Sequence, residues 1–307
     1  MINLIKYKFN KAWSIGIYVG QSPFNIKEYQ SNPIFSAKAI KDIPVHFVAD
    51  PFIIPYKDRY YILFEMLNAS RGRGEIGVAS SKDFKQWNYE GVALSDDFHL
   101  SYPLVFEWSG DYYMVPESSQ ANAVRLYRAL NFPLEWEFVL NLMEGKPFLD
   151  STIFNYNGMW WMYTTFDEEN LKLFYSNHLI SNRWTEHPKS PVINGRYARP
   201  GGRVLLYNNT IYRFSQDPLP DYGHQIIPFE VKMLSTTCYN EVRYGVNPFL
   251  NPSGKGWNEN KMHHIDFCKV KSREWIIVSD GYSEAIDIRI RLLLHRVKIK
   301  ILSKLKK

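Results

Sequence analysis

A sixteen-residue pattern recurs five times in this chain. The copies begin at Asp50 (DPFIIPYKDRYYILFE), Tyr102 (YPLVFEWSGDYYMVPE), Asp150 (DSTIFNYNGMWWMYTT), Gly201 (GGRVLLYNNTIYRFSQ) and His264 (HIDFCKVKSREWIIVS). With the first residue counted as zero, positions ten and eleven are Tyr60-Tyr61, Tyr112-Tyr113, Trp160-Trp161, Ile211-Tyr212 and Glu274-Trp275. A period of about fifty residues built from short β-runs is the pattern of a propeller, in which each repeat is one blade and function gathers on the axis.

Each copy reads as a hairpin, with an alternating apolar run, a turn such as Asn157-Gly158 or Ser109-Gly110, and an aromatic-rich return run. Positions zero and fifteen are then expected opposite one another at the open end. They are Asp50, Tyr102, Asp150, Gly201 and His264 at zero, and Glu65, Glu117, Thr165, Gln216 and Ser279 at fifteen. Nearly all are polar, which marks one end of the axis as the place for chemistry. A second repeat places Trp87, Trp136 and Trp184 after a third strand, where packing between blades is their expected role. The fifth copy has no outer strands of its own, whereas Trp13–Ile26 has strand character and no hairpin. The expectation is therefore an all-β, five-bladed propeller over residues 1–285, closed by N-terminal strands that complete blade five and remove its free edge.

The charge is divided unevenly. Eight of the 37 Lys and Arg lie from Arg289 to Lys307 without an acid, leaving 29 basic and 31 acidic side chains in residues 1–288, a net of −2. A near-neutral propeller gives whole-domain nucleic-acid binding little support. The tail, 286–307, reads as a basic amphipathic C-terminal helix, with Ile290, Leu294, Val297, Ile301 and Leu305 on one stripe. Such a segment suits an anionic membrane surface. The N-terminus lacks the apolar core and cleavage site of a secretory signal, and no stretch approaches 18 apolar residues. The expected location is cytoplasmic, peripheral on the inner face of the membrane. Cys238 and Cys268 read as buried thiols. The His263-His264-Ile265-Asp266 group matches no standard ligand spacing, and neighbouring strand residues point to opposite faces, so neither metal nor cofactor is expected.

Asp50-Pro51, Asp150 and His264 together resemble glycoside hydrolase family 43 and its relatives, which are five-bladed propellers. The resemblance implies a general base at Asp50, an orienting and pKa-setting carboxylate at Asp150 and an axial His264. The family's acid on blade four is missing, since Ala198-Arg199-Pro200-Gly201-Gly202-Arg203 stands there and no Asp or Glu occurs between His187 and Gln216. Hydrolysis requires an acid to protonate the leaving oxygen. A guanidinium does not donate that proton; it holds a phosphate. The substitution points to transfer from a sugar nucleotide or sugar phosphate, with Arg199 and Arg203 on the donor phosphate.

A closer resemblance, carried by ADPFIIPYKDRYYILFE, HLSYPLVFE, MVPESS, ARPGGR, YRFSQD and HHIDF…SDG, is to bacterial proteins similar to the N-terminal region of plant glucosamine inositolphosphorylceramide transferases. It implies a place in glycan or glycolipid assembly. The leading expectation is thus a glycosyltransferase acting on a glycan or glycolipid acceptor in surface-polysaccharide assembly. Asp50, Asp150 and Glu117 are its candidate catalytic residues, and Arg199, Arg203, His264, His99, Tyr102 and Gln216 its candidate substrate-binding residues. Glu117 and His99 are equally open to a role tying down loops. The alternatives are a family 43-like hydrolase with Glu117 recruited as acid, and a non-catalytic glycan-binding propeller.

Overall fold

A computed structural model describes residues 12–271 and 274–284. Five antiparallel sheets form the five blades of one propeller. Blade one comprises Val45–Tyr56, Arg59–Asn68, Arg73–Ser81 and Asn88–Leu94; blade two, Ser101–Trp108, Asp111–Glu117, Ala123–Asn131 and Glu135–Glu144. Blade three comprises Leu149–Tyr156, Met159–Thr165, Asn170–Ser176 and Thr185–Glu186, with Ile193–Asn194 pairing beside the last on its third strand. Blade four comprises Leu205–Tyr207, Thr210–Asp217, Gln225–Leu234 and Tyr239–Arg243. The fifth sheet joins the two ends of the chain as expected: Ile265–Lys271 and Glu274–Ser283 pair with Ala12–Ser22 and then Asn25–Glu28. The expected tail helix and the domain division at 285 lie outside the described residues.

The hairpin turns follow their sequences. Ser109-Gly110, Asn157-Gly158 and Asn208-Asn209 all have positive φ at both central residues, the conformation that matches a two-residue turn to strand twist. Apolar residues from facing sheets interlock between blades; one cluster joins Leu63, Leu104, Val115, Leu126, Ile153 and Met162. The repeated tryptophans pack against these clusters. They also clamp the outer turn. Trp87, Trp136 and Trp184 each donate an indole N–H to the carbonyl three residues earlier, Phe84, Pro133 and Ser181, at 3.2, 2.7 and 3.0 Å.

The register at the axial end differs from the simple hairpin expectation. Ala49, Ser101 and Leu149 face Glu65, Glu117 and Thr165, and regular pairing resumes only at Phe52, Leu104 and Thr152. Asp50, Tyr102 and Asp150 lie within these bulges, at φ 50, 44 and 45. A bulge re-aims a side chain and releases its N–H from the ladder, and the following Pro51 and Pro103 have no ladder N–H to lose. Cys268 is buried, but Cys238 is exposed in a turn, so the expectation of a buried thiol fails there.

Candidate active site

The three bulged residues direct their freed N–H groups to carboxylates. Asp50 N–H donates to Asp280 Oδ2 (3.1 Å), Asp150 N–H to Glu117 Oε2 (3.2 Å) and Tyr102 N–H to Asp50 Oδ2 (3.3 Å). Left-handed backbone at non-glycine residues costs of order 1–3 kcal/mol and persists where the surroundings over-determine it. Here the ties run from blade to blade around the axis. They gather Asp50, Glu117, Asp150 and Asp280, all buried, into one cluster.

Two cations balance it. Arg199 donates from Nε to Asp150 Oδ2 at 2.7 Å and from Nη1 to Glu168 Oε1 at 3.1 Å, while its Nη2 lies 3.7 Å from Glu117 Oε2. The Tyr222 ring covers the guanidinium at 5.1 Å. On the other side His263 places Nδ1 2.7 Å from Asp280 Oδ2, as an ion-pair contact rather than an in-line hydrogen bond, and Nε2 3.5 Å from Asp50 Oδ1. Burial opposes charge on His263, but Asp280 and Asp50 outweigh it and raise its pKa to about 9. The carboxyls divide into coupled pairs. Burial, reinforced for Glu117 by Asp150, lifts Asp50 and Glu117 well above the ordinary carboxylate range. For Asp150 and Asp280 burial acts in the same direction, yet Arg199 and His263 overcome it and hold them low. Neighbouring carboxyls driven apart in this way are suited to opposite proton-transfer roles.

His264 is neutral, with a pKa lowered to about 4 by burial. Its Nε2 faces the Pro51 carbonyl at 3.0 Å, so Nε2 carries the hydrogen and Nδ1 is an acceptor 3.9 Å from Asp50 Oδ1. Gln216 donates to Asp150 Oδ2 (2.8 Å) and the Pro200 carbonyl (2.9 Å). His264 Nδ1 and Gln216 Oε1 are both buried without a hydrogen-bond partner, two acceptors within the same cluster. The adjacent histidines do not diverge as strand alternation implies. Both precede the first strand of blade five, and both backbone N–H groups converge on Asp280 Oδ1 at 3.0 and 3.1 Å, which turns both rings toward Asp50.

Three candidates are committed to neighbours. Arg203 forms a two-point pair with Asp266 (2.6 and 3.1 Å) and donates to the Val105 carbonyl at 2.7 Å, while Asp266 accepts Ile53 N–H at 2.8 Å. It ties blades four, five, two and one together across the axis, so the guanidinium expected on a phosphate is held by Asp266 and the Val105 carbonyl. Tyr102 is fully buried, its hydroxyl 2.7 Å from Thr152 Oγ1, and forms wall rather than binding surface. His99 accepts Gly74 N–H at Nδ1 (2.9 Å) and faces Glu65 with Nε2 (3.2 Å), which fastens the rim between blades one and two. The sequence reading weighed His263 only as a metal ligand and did not single out Asp280, Tyr222 and Glu168 as site residues. Asp280 was within reach, because the SDG that carries it directly follows the fifth repeat.

Asp50, His263 and Asp280 bring ligand-type atoms within 4.8 Å of one another. Asp280 also accepts three backbone N–H groups. Trp13 stacks on His263 at 4.1 Å, and beside it a cavity of about 550 Å³ is lined by Trp13, Pro33, Val45, His46 and Trp257.

Residues 7–282 match the family described as the N-terminal region of glucosamine inositolphosphorylceramide transferase 1. The chain belongs to this family. It is 34% identical over 298 residues to glucosamine inositolphosphorylceramide transferase 1 of Arabidopsis thaliana, covering 88% of this chain and 39% of that protein. It therefore spans about two-fifths of the length of that relative. Among solved structures, a β-1,2-mannobiose phosphorylase from Listeria innocua superimposes with a TM-score of 0.64 at 13% identity, covering 92% of this chain and 99% of the other. A thermostable family-43 glycoside hydrolase gives 0.55 at 11%, covering 81% and 90%. These likenesses establish the five-bladed fold.

Proposed function

We propose that the axial cluster catalyses glycosyl transfer from a sugar nucleotide or sugar phosphate to a hydroxyl of a glycan or glycolipid acceptor. The observation that carries this reading is the gathering of the buried carboxyls Asp50, Glu117, Asp150 and Asp280 on the axis beside Arg199, whose outer edge reaches exposed Glu168. Asp50 accepts the acceptor proton as its oxygen bonds to the anomeric carbon, the bond from that carbon to the phosphate oxygen breaks, and the charge leaves with the phosphate. Burial raises the pKa of Asp50 above the ordinary carboxylate range, which makes it a stronger base. Arg199 meets the departing phosphate through the edge that now faces exposed Glu168, a partner a phosphate can displace. The buried acceptors His264 Nδ1 and Gln216 Oε1 suit sugar hydroxyls, and Trp13 and Tyr222 offer ring faces at the mouth. A longer acceptor extends into the cavity beside Trp13.

One observation favours a hydrolase instead. Glu117, whose pKa burial and Asp150 raise well above the carboxylate range, has the character of the acid that blade four lacks. The two readings separate experimentally. Transfer predicts labelled product from phosphate-activated donors and little effect of Glu117→Gln; hydrolysis predicts aryl-glycoside turnover that Glu117→Gln abolishes.

The name of the plant relative supports a membrane-borne acceptor. The described fold ends on the site's own face, because Ser283 pairs with Ala12 next to Trp13. A tail bound to the cytoplasmic surface of an anionic membrane would hold the axial site against such an acceptor.

A further inference from the structure

We propose that His263 is the positioning residue of the site, clamped between Asp280 and Asp50 so that it fixes the orientation of the Asp50 carboxyl for proton abstraction. The clamp is built from every direction. Asp280, from the second strand of blade five, touches Nδ1 at 2.7 Å and also accepts the backbone N–H groups of His263, His264 and Asp50. Asp50, in the bulge of blade one, faces Nε2 at 3.5 Å. Trp13, on the closing N-terminal strand, stacks on one side with ring centroids 4.1 Å apart, and Tyr222 meets the ring edge-on at 5.5 Å. The Gly223 backbone comes so close that an added β-carbon would lie 3.0 Å from His263 Cβ. Asp150 adds attraction from blade three, and neutral His264 is the adjoining titratable group on the chain.

The ring cannot turn without losing both carboxylates and the Trp13 face. Its charge opposes the effect that burial and the neighbouring Glu65, Asp280 and Asp150 have on Asp50, all of which favour a protonated carboxyl. Without that cation the pKa of Asp50 would be raised further. The sequential arrangement from Asp280 through His263 to Asp50 thus carries charge compensation from the wall of the site to its reacting carboxylate.

The charge state is tested without any substrate by nitrogen-15 NMR of histidine-labelled full-length protein. One ring should keep both N–H groups at pH 8 and titrate near pH 9; the signal should vanish in His263→Gln and move to lower pH in Asp50→Asn. Wild-type spectra in which every histidine is neutral by pH 7.5 would overturn the proposal, whatever the activity. The second arm rests on the transferase reading. His263→Gln should lower kcat at pH 6.5 by about tenfold or more with KM retained, and move the acidic limb of the pH profile upward by about one unit. An unmoved limb would reduce His263 to a packing residue, whereas failure to find any transferase substrate would leave the NMR result to decide.

Discussion

Asp50 occupies a backbone conformation that asparagine also tolerates, so Asp50→Asn removes the base and leaves the bulge. Turnover should fall by about 10²–10⁴ while the melting temperature stays within a few degrees. Arg199→Met should act differently, because it leaves Asp150 and Glu117 without their cation inside the fold; a loss of about 3–5 kcal/mol in denaturant unfolding is expected. The pH dependence follows from His263. Its pKa rises from 6.5 to about 9 on folding, so its contribution is complete below pH 6.5 and is lost as pH rises through about 9. Thermal melts should decline from pH 7 to 10, and His263→Gln should flatten that decline. Asp50 and Asp150 were legible in the sequence because they sit at one position of the repeat. The pairing of Arg203 with Asp266 was not, because pattern alone cannot show which buried carboxylate a guanidinium meets. His263 was set aside on strand alternation, which does not govern its direction because it stands before the first strand of blade five.

At the scale of elements, the hairpins were legible because turn residues and aromatic return strands each carry a local signal. The bulges were not read, although Asp-Pro and Tyr-Pro inside apolar runs are places where a ladder cannot continue normally. Gly202 shows how closely blades four and five meet. It adopts φ 142, and a β-carbon there would lie 1.8 Å from the Ile265 carbonyl oxygen. Gly202→Ala should cost more than about 4 kcal/mol or prevent folding, read by circular dichroism and melting. The closure by Ala12–Ser22 makes a second element-scale prediction. Its removal strips Glu274–Ser283 of its outer neighbour and Trp13 from His263. The shortened chain should aggregate through the exposed edge, as seen by light scattering, where the full chain stays dispersed.

For the whole molecule, residues 1–288 carry a net charge of −2, whereas residues 289–307 hold eight Lys and Arg and no acid. Removal of residues 288–307 should abolish sedimentation with anionic liposomes, and binding by the full chain should weaken with salt. Binding that ignores the tail would move the membrane contact elsewhere. The five-bladed closure was readable from the count of repeats and the missing outer strands of the last, whereas the charge balance across the axis depended on contacts between residues hundreds of positions apart. The claim that this axis transfers glycosyl groups is tested most directly by incubating the full-length protein with a panel of labelled sugar nucleotides and sugar phosphates and with lipid-linked or oligosaccharide acceptors. The account predicts label in the acceptor, release of nucleotide or phosphate in equal amount, and loss of both in Asp50→Asn. Hydrolysis of aryl glycosides that requires Glu117, without transfer from any activated donor, would contradict it.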